Sequence, residues 1–447
     1  MVVFRAAPRV LVVGLGKSGV AAARLAAADG SEVWLTDLRP ESELAAELDQ
    51  LSGEERTFLG GHPIESLEGV GSVIVSPGVP ADAPLLEEAR DRDIQVTTEV
   101  EFAWFHRPSA PLVAVTGSNG KSTTTELVAR MLCETGKSAV AGGNLGTPAS
   151  ELVQRGGWES WVLEISSFQA ELLRAMQPRV SVFLNLSQDH LERHPSMASY
   201  LEAKRRIFAF QGPHDLAVLN ADDEATATTP TVARKRLFSV SGPADAYYDG
   251  AHVLLDGEVV IAASEVRLSG LHNLANTLAA ALAASALGAS THAIASTVSI
   301  FDGLEHRHRT VHECGGVRWV DDSKATNVGA TAAALRGYDD GAVHLILGGQ
   351  GKGQDFRPLV EEVRRSAARV YLIGDDGAMI GELLDGVVPV ENCVTLDEAV
   401  SRARAHAEPG QWVLLAPACA SFDQFANYGE RGDAFAKLAR KGVAACP

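Results

Sequence analysis

The hydrophobic positions repeat one unit along most of the chain: a short apolar run, a glycine-bearing turn, then an alanine-rich stretch. In RVLVVGLGKSGVAAARLAAADGSEVWLTD the run Val10–Val13 is apolar at consecutive positions, as a strand buried on both faces requires. The stretch behind its turn has helical character, and a second apolar run ends at Asp37. The same grammar returns at Val73–Val75, in PLVAVTGSNGKSTTTELVARML, in VRWVDDSKATNVGATAAAL, in VHLILGGQGKGQDF and in WVLLAPACASFDQF. Strand–turn–helix repeats of this kind predict α/β sheets that present their loops to ligands. The pattern is interrupted at FAWFHRPSAP and again at FDGLEHRHRT, so domains are expected over residues 1–108, 109–302 and 303–447.

Composition changes this picture little. At 447 residues the chain exceeds what one hydrophobic core usually supports. Its formal charge of −18 disfavours non-specific nucleic-acid binding, although a local basic cleft can still hold anions. Cysteines at 133, 314, 393, 419 and 446 form no CxxC pair, which argues against a zinc cluster or a disulfide scaffold and fits a reducing compartment. The first residues run into a strand-like segment without a signal-peptide cleavage site, and no apolar stretch reaches bilayer length. A cytoplasmic protein without a membrane partner is expected.

Candidate chemistry clusters at the turns. Gly14, Gly16 and Gly19 form G-x-G-x-x-G after a strand, where small residues allow close backbone approach to a phosphate. Asp37 can accept hydrogen bonds from a ribose or a base, and SPGVP (76–80) can line the same crevice or simply turn the chain. The strongest signal is Gly117-Ser-Asn-Gly120-Lys121-Ser122-Thr123. Backbone N–H groups there cradle phosphates, Lys121 reaches β/γ oxygens, and Ser122 or Thr123 approaches magnesium. A general P-loop has glycine where this chain has Val115. Glu164, Asp189 and His190 each follow an apolar run; oxygen ligands with one imidazole suit magnesium or manganese. Lys204 sits in a short amphipathic segment, where its bland role is a solvated face, the role expected of Arg205 and Arg206. Asn273 and Asn276 can cap the alanine-rich helix expected from Leu274, or bind adenine through their amides. Asp322, Ser323, Lys324 and Thr326 share one polar loop, open to a turn-and-cap role or to an active-site one.

These motifs carry a resemblance. TGSNGKSTTT, GGNLG, LEISSFQ, NLSQDH, the lysine of EAKRRIF, HNLANTLAA, GLEHR, DDSKATN, LGGQGKGQDF and PACASFDQF occur in the order of the Mur ligase family, and the third-domain loops resemble those of its D-glutamate-adding members. The resemblance implies three domains: a Rossmann-like UDP-binding domain, a central P-loop ATPase-like domain and a Rossmann-like domain for the incoming amino acid. It implies ligation of D-glutamate to UDP-N-acetylmuramoyl-L-alanine through an acyl phosphate, with ATP and Mg2+ or Mn2+, by a monomer serving peptidoglycan precursor synthesis. Leu15, Lys17, Ser18, Asp37, Arg39 and Gly78 would then lie near UDP, and Asn144 and Ser166 would orient the UDP-sugar. Gly117, Asn119, Gly120, Lys121, Ser122, Thr123, Asn273, Asn276, Arg307 and Asp322 would hold ATP. Ser122, Glu164, His190 and an N-carboxylated Lys204 would serve the metals, while Lys352, Thr326, Ser421, Tyr428 and Lys324 would meet D-glutamate. Arg307 aligns with the family arginine, but the His308–Arg309 pair departs from the usual hydrophobic continuation. The runner-up is another amino-acid ligase of the Mur/folylpolyglutamate superfamily. An NAD-binding regulatory protein with a triphosphatase module is a third reading.

Overall fold

The computed structural model describes residues 8–106, 109–144, 146–189, 193–268, 270–351 and 353–441. Three sheets organise them. The first contains β1 (Arg9–Val13), β2 (Glu32–Asp37), β3 (Arg56–Leu59), β4 (Ser72–Val75) and β5 (Gln95–Thr98), parallel throughout in the order β3-β2-β1-β4-β5. The apolar residues of β1 feed two cores, because alternate side chains leave a strand on opposite faces. Val10 and Val12 pack with Leu25 and Leu35; Leu11 and Val13 pack with Val73 and Leu86. Strand order reverses between β1 and β4, which opens a crevice at the strands' C-terminal ends.

The second sheet comprises β6 (Leu112–Thr116), β7 (Ala139–Gly143), β8 (Ser160–Glu164), β9 (Val180–Phe183), β10 (Leu216–Asn220), β11 (Arg234–Ser239), β12 (Ala246–Tyr248), β13 (His252–Leu255) and β14 (Glu258–Ala262). Its order is β14-β13-β12-β11-β10-β9-β6-β8-β7, parallel except at the β12–β13–β14 edge. Thus β6 lies between β8 and β9, and the loops leaving these three strands are neighbours.

The third sheet comprises β15 (Arg309–Cys314), β16 (Val317–Asp321), β17 (Val343–Gly348), β18 (Ala367–Ile373), β19 (Val390–Val394) and β20 (Trp412–Leu415), ordered β15-β16-β20-β17-β18-β19. Only β15 is antiparallel, and β20 inserts between β16 and β17.

The described residues divide into two compact units, drawn from residues 1–186, 195–263 and 276–297, and from 187–194, 264–275 and 298–447. Within the first, two buried glutamates join the first sheet to the second. Glu101 Oε1 accepts the N–H groups of Arg174, Ala175 and Met176 at 2.9, 2.7 and 2.8 Å. Glu99 Oε1 accepts Ser150 N–H at 2.5 Å. Among the described residues no helix is long and apolar enough to cross a membrane.

Two expectations need correction. The alanine-rich helix begins at Leu271, so Asn273 and Asn276 lie inside it and are not its caps. Lys204 is not on a solvated face: it is 1% exposed, and Arg205 and Arg206 are tied to the carbonyls of Ala225 and Leu173. Cys133, Cys393 and Cys419 are free thiols.

Candidate active site

At the first sheet the glycine loop leaves β1 and the SPGVP loop leaves β4. Gly19 lies in the helix Lys17–Ala28 directly against Gly14, where any Cβ would collide with the Gly14 carbonyl oxygen. That same carbonyl accepts Ser76 Oγ at 2.7 Å, which binds the two loops together. Asp37, at the end of β2, accepts Leu15 N–H at 2.7 Å through Oδ2 and Arg39 N–H at 2.9 Å through Oδ1. The Arg39 guanidinium also reaches both oxygens at 3.1 Å. Burial alone would raise the Asp37 carboxyl; the bonds from Arg39 and Leu15 outweigh it and hold the group below its usual range. Both oxygens are therefore engaged by the protein, an arrangement unlike a free carboxylate waiting for a ribose. Leu15 is fully buried, Lys17 and Gly78 are exposed, and Ser18 and Arg39 are half-buried.

At the second sheet the phosphate loop leaves β6 and caps the helix Lys121–Cys133. Gly120 sits at φ 81°, and a Cβ there would strike the buried Asn276 side chain, so glycine is needed on both counts. Asn276 thus packs on the loop itself. Asn185, beyond β9, pins the loop from the other side: its Oδ1 accepts Asn119 N–H at 2.9 Å and its carbonyl accepts Ser118 N–H at 3.0 Å. Two ammonium groups meet at one carbonyl. Lys121 Nζ donates to Gly117 O at 2.9 Å and Ser118 O at 2.8 Å, while Lys204 Nζ donates to Gly117 O at 2.7 Å and lies 4.4 Å from the Tyr200 ring centre. Glu164, buried at the end of β8, accepts Ser122 Oγ on one oxygen and Asn144 Nδ2 at 2.7 Å on the other. A hydroxyl and a carboxylate at the mouth of a phosphate loop are donors of the kind a hard cation takes. Among the described residues no three His, Cys, Asp or Glu side chains gather into a metal cluster. His190 lies outside the described residues. The Ser166 hydroxyl is engaged in a capping box with Gln169 at the start of the helix Ser167–Ala170.

The third sheet sends out loops from β16, β20 and β17, three adjacent strands. The β16 loop holds Lys324 Nζ 4.1 Å from the Tyr428 ring centre, and Thr326 N–H turns back to Lys324 O at 2.7 Å. Ser421, 2% exposed, lies in the β20 loop and accepts Phe425 N–H at 2.8 Å through its carbonyl. Lys352, in the β17 loop, lies outside the described residues. Asp322 faces His308 Nδ1 at 3.6 Å, and His308 Nε2 meets the Tyr338 hydroxyl at 3.2 Å. Burial, with His308 nearby, lowers the His272 imidazole to about 4, so it is neutral at pH 7. Arg307 is half-buried in the turn that precedes β15, and Asn273 is buried in the first turn of its helix.

Sequence reasoning missed Asn185, Arg431 and the pair His306–Asp321, in which Nδ1 and Oδ2 lie 2.7 Å apart. Asn185 stood within the NLSQDH motif and could have been found there. The other two carry no local signal.

Comparison with known proteins agrees with this geometry. Residues 8–98 match the Mur ligase MurD-like N-terminal domain, 115–284 the Mur ligase middle domain and 306–419 the Mur ligase glutamate ligase domain. The UDP-N-acetylmuramoylalanine–D-glutamate ligase of Anaeromyxobacter dehalogenans is 42% identical over 449 residues, covering 96% of this chain and 97% of that protein. Its counterpart in Methylococcus capsulatus is 42% identical over 440 residues, covering 97% and 94%. In fold, the UDP-N-acetylmuramate-alanine ligase of Thermotoga maritima superposes with a TM-score of 0.62 at 20% identity, over 96% of this chain and 98% of that one. With three domain matches in order and relatives alike along nearly its whole length, the chain belongs to the Mur ligase family, on the branch of the UDP-N-acetylmuramoylalanine–D-glutamate ligases.

Proposed function

We propose that the chain joins D-glutamate to UDP-N-acetylmuramoyl-L-alanine at the expense of ATP, with residues 1–108 binding UDP, 109–302 binding ATP and 303–447 binding the amino acid. The observation that carries this reading is the meeting of Lys121, Lys204, Ser122, Asn144 and Glu164 at the mouth of the phosphate loop. Two anions, a carboxylate and a triphosphate, must be brought together there, and that requires fixed cationic and hydrogen-bonding groups.

Lys121 would exchange the carbonyls of Gly117 and Ser118 for β/γ-phosphate oxygens, with N–H groups of Asn119, Gly120, Ser122 and Thr123 completing the cradle. Asn273, Asn276, Arg307 and Asp322 would hold the rest of the nucleotide. Ser122 and Glu164 would hold one magnesium ion, and His190 with Lys204 a second. Bound magnesium supplies neutralisation of charge between the two anions. The substrate carboxylate takes the γ-phosphoryl group, giving an acyl phosphate and ADP; the D-glutamate amine attacks the acyl carbon and phosphate leaves. Lys324, Thr326, Lys352, Ser421 and Tyr428 would bind the amino acid. Leu15, Lys17, Ser18, Asp37, Arg39 and Gly78 would hold UDP, with Asn144 and Ser166 toward the sugar.

As an ammonium, Lys204 has the wrong sign for a metal ligand. Reaction of its neutral amine with carbon dioxide forms an N–C bond, releases one proton and leaves a carbamate, which reverses the charge. Its burial against Tyr200 and beside Gly117 O supports a carbamate that would face the loop.

The test is phosphate release by the purified protein with ATP, magnesium and UDP-N-acetylmuramoyl-L-alanine, adding D-glutamate, L-glutamate, L-alanine, L-lysine or diaminopimelate separately. Stimulation by D-glutamate alone, with one residue added to the UDP product, is expected. Stimulation by another of these amino acids instead would overturn the substrate assignment. In CO2-depleted buffer the rate should fall and bicarbonate should restore it; a rate indifferent to both would remove the carbamate.

A further inference from the structure

Arg431 lies in the first turn of the helix Tyr428–Arg440 and is 1% exposed. A buried guanidinium usually answers a carboxylate. This one answers the backbone of two loops. Its Nε donates to Ser323 Oγ at 3.0 Å and its Nη2 to Ser323 O at 2.9 Å, both in the β16 loop. Nη2 also donates to Cys419 O at 3.1 Å and Nη1 to Ala420 O at 3.2 Å, both in the β20 loop just before Ser421. The flat, rigid fork therefore sets the spacing between the two loops, as a flexible point charge cannot.

The same helical turn locates the residues on the outer side of the β16 loop. Tyr428 O accepts Ser323 Oγ at 2.8 Å, and the Tyr428 ring lies beneath Lys324 Nζ. Without Arg431, the carbonyl oxygens of Ser323, Cys419 and Ala420 and the Ser323 hydroxyl would each lose a donor, although Ala420 O would keep Gln350 N–H at 3.0 Å, and the link between the two loops would be lost.

We propose that Arg431 is a positioning residue for the amino-acid site: it fixes Lys324 and Thr326 on one loop relative to Ser421 on the other, without touching the substrate. This rests on the reading above that those three residues bind D-glutamate. Burial pulls the Arg431 guanidinium down to about 10, which leaves it charged at neutral pH. A fixed cation thus underlies loops that must receive a dicarboxylate.

The experiment compares Arg431→Lys and Ser323→Ala with wild type, measuring KM for D-glutamate, ATP and the UDP-substrate together with thermal melting. Arg431→Lys keeps the charge and loses the fork. It should raise KM for D-glutamate about tenfold or more while KM for ATP stays within about twofold. Ser323→Ala removes one rung of the clamp and should move the same constant in the same direction by less; it carries the test if Arg431→Lys does not fold. Lower melting temperature and kcat in both variants, with KM for D-glutamate unmoved, would reduce Arg431 to a structural residue and overturn the proposal. Lys324→Ala and Thr326→Ala belong in the same series. If they raise that KM and Arg431→Lys does not, the proposal alone falls; if neither raises it, the assignment of the loops falls with it.

Discussion

The glycine loops of the first and second sheets look alike as sequence: each follows a buried strand and opens a helix. Around the first, charge is settled inside the protein. Asp37 is bonded to Leu15 N–H and Arg39, and Lys17 on the adjoining helix is exposed. Around the second, charge is gathered and held on groups a ligand can displace. Lys121 and Lys204 rest on the Gly117 carbonyl, and Glu164 rests on Ser122 and Asn144. The first loop suits a diphosphate held mainly by backbone. The second suits a transfer in which charge moves and must be met where it develops. On the proposed reading, one backbone motif would serve binding in one place and chemistry in the other, and the difference would lie in residues brought from distant strands.

The largest effect should come from the lysines. Lys121→Ala should lower kcat/KM for ATP about a thousandfold in the phosphate-release assay, whereas Lys17→Ala should change KM for the UDP-substrate less than about threefold. Comparable losses from both would break the contrast between the loops. A smaller effect is expected at Asp37. Asp37→Asn removes the charged acceptor of Leu15 N–H and should raise KM for the UDP-substrate about tenfold with kcat unchanged, equivalent to about 1.4 kcal/mol. A fall in kcat with KM constant would instead place Asp37 in the chemical step.

The smallest effect concerns the joint between the two sheets. Burial raises the Glu99 carboxyl to about 7, against an ordinary value of 4.5, with the Ser150 bonds opposing only in part. The unfolded chain therefore loses this proton first as pH rises. The group's favourable contribution is present below about 4.5 and is lost progressively up to about 7, on the order of 3 kcal/mol in all. Glu99→Gln should abolish that slope and raise the melting temperature at pH 8 by a few degrees, leaving KM for ATP and for the UDP-substrate within about twofold. Parallel melting curves for variant and wild type at pH 5 and pH 8 would show that the carboxyl does not titrate in this way.

What the sequence made legible was local. The strands, both glycine loops and the cation-and-hydroxyl run at Lys121–Thr123 are written in consecutive residues, because backbone turns and phosphate cradles are short-range devices. What it concealed was which charges are buried. Lys204, Arg205 and Arg206 form one basic run, yet they reach Gly117, Ala225 and Leu173, separations of 87, 20 and 33 residues. Nothing in the run tells them apart; their partners lie on segments that only the fold brings together. Arg431 is hidden for the same reason, being 108 positions from Ser323. The capping of Ser166 by Gln169 was within reach, since the Ser-x-x-Gln spacing is a known start signal for a helix.

The position of β20 bears on how the protein comes into being. Trp412 pairs with Arg318 on one side and with Val343 on the other, so the middle of the third sheet is filled by its last strand. During synthesis the phosphate loop and its neighbouring strands emerge long before that strand does. A growing chain can thus assemble its triphosphate cradle while the two halves of the third sheet still wait with open edges for the piece that joins them. Those edges stay open to mispairing until residue 415 is free of the ribosome.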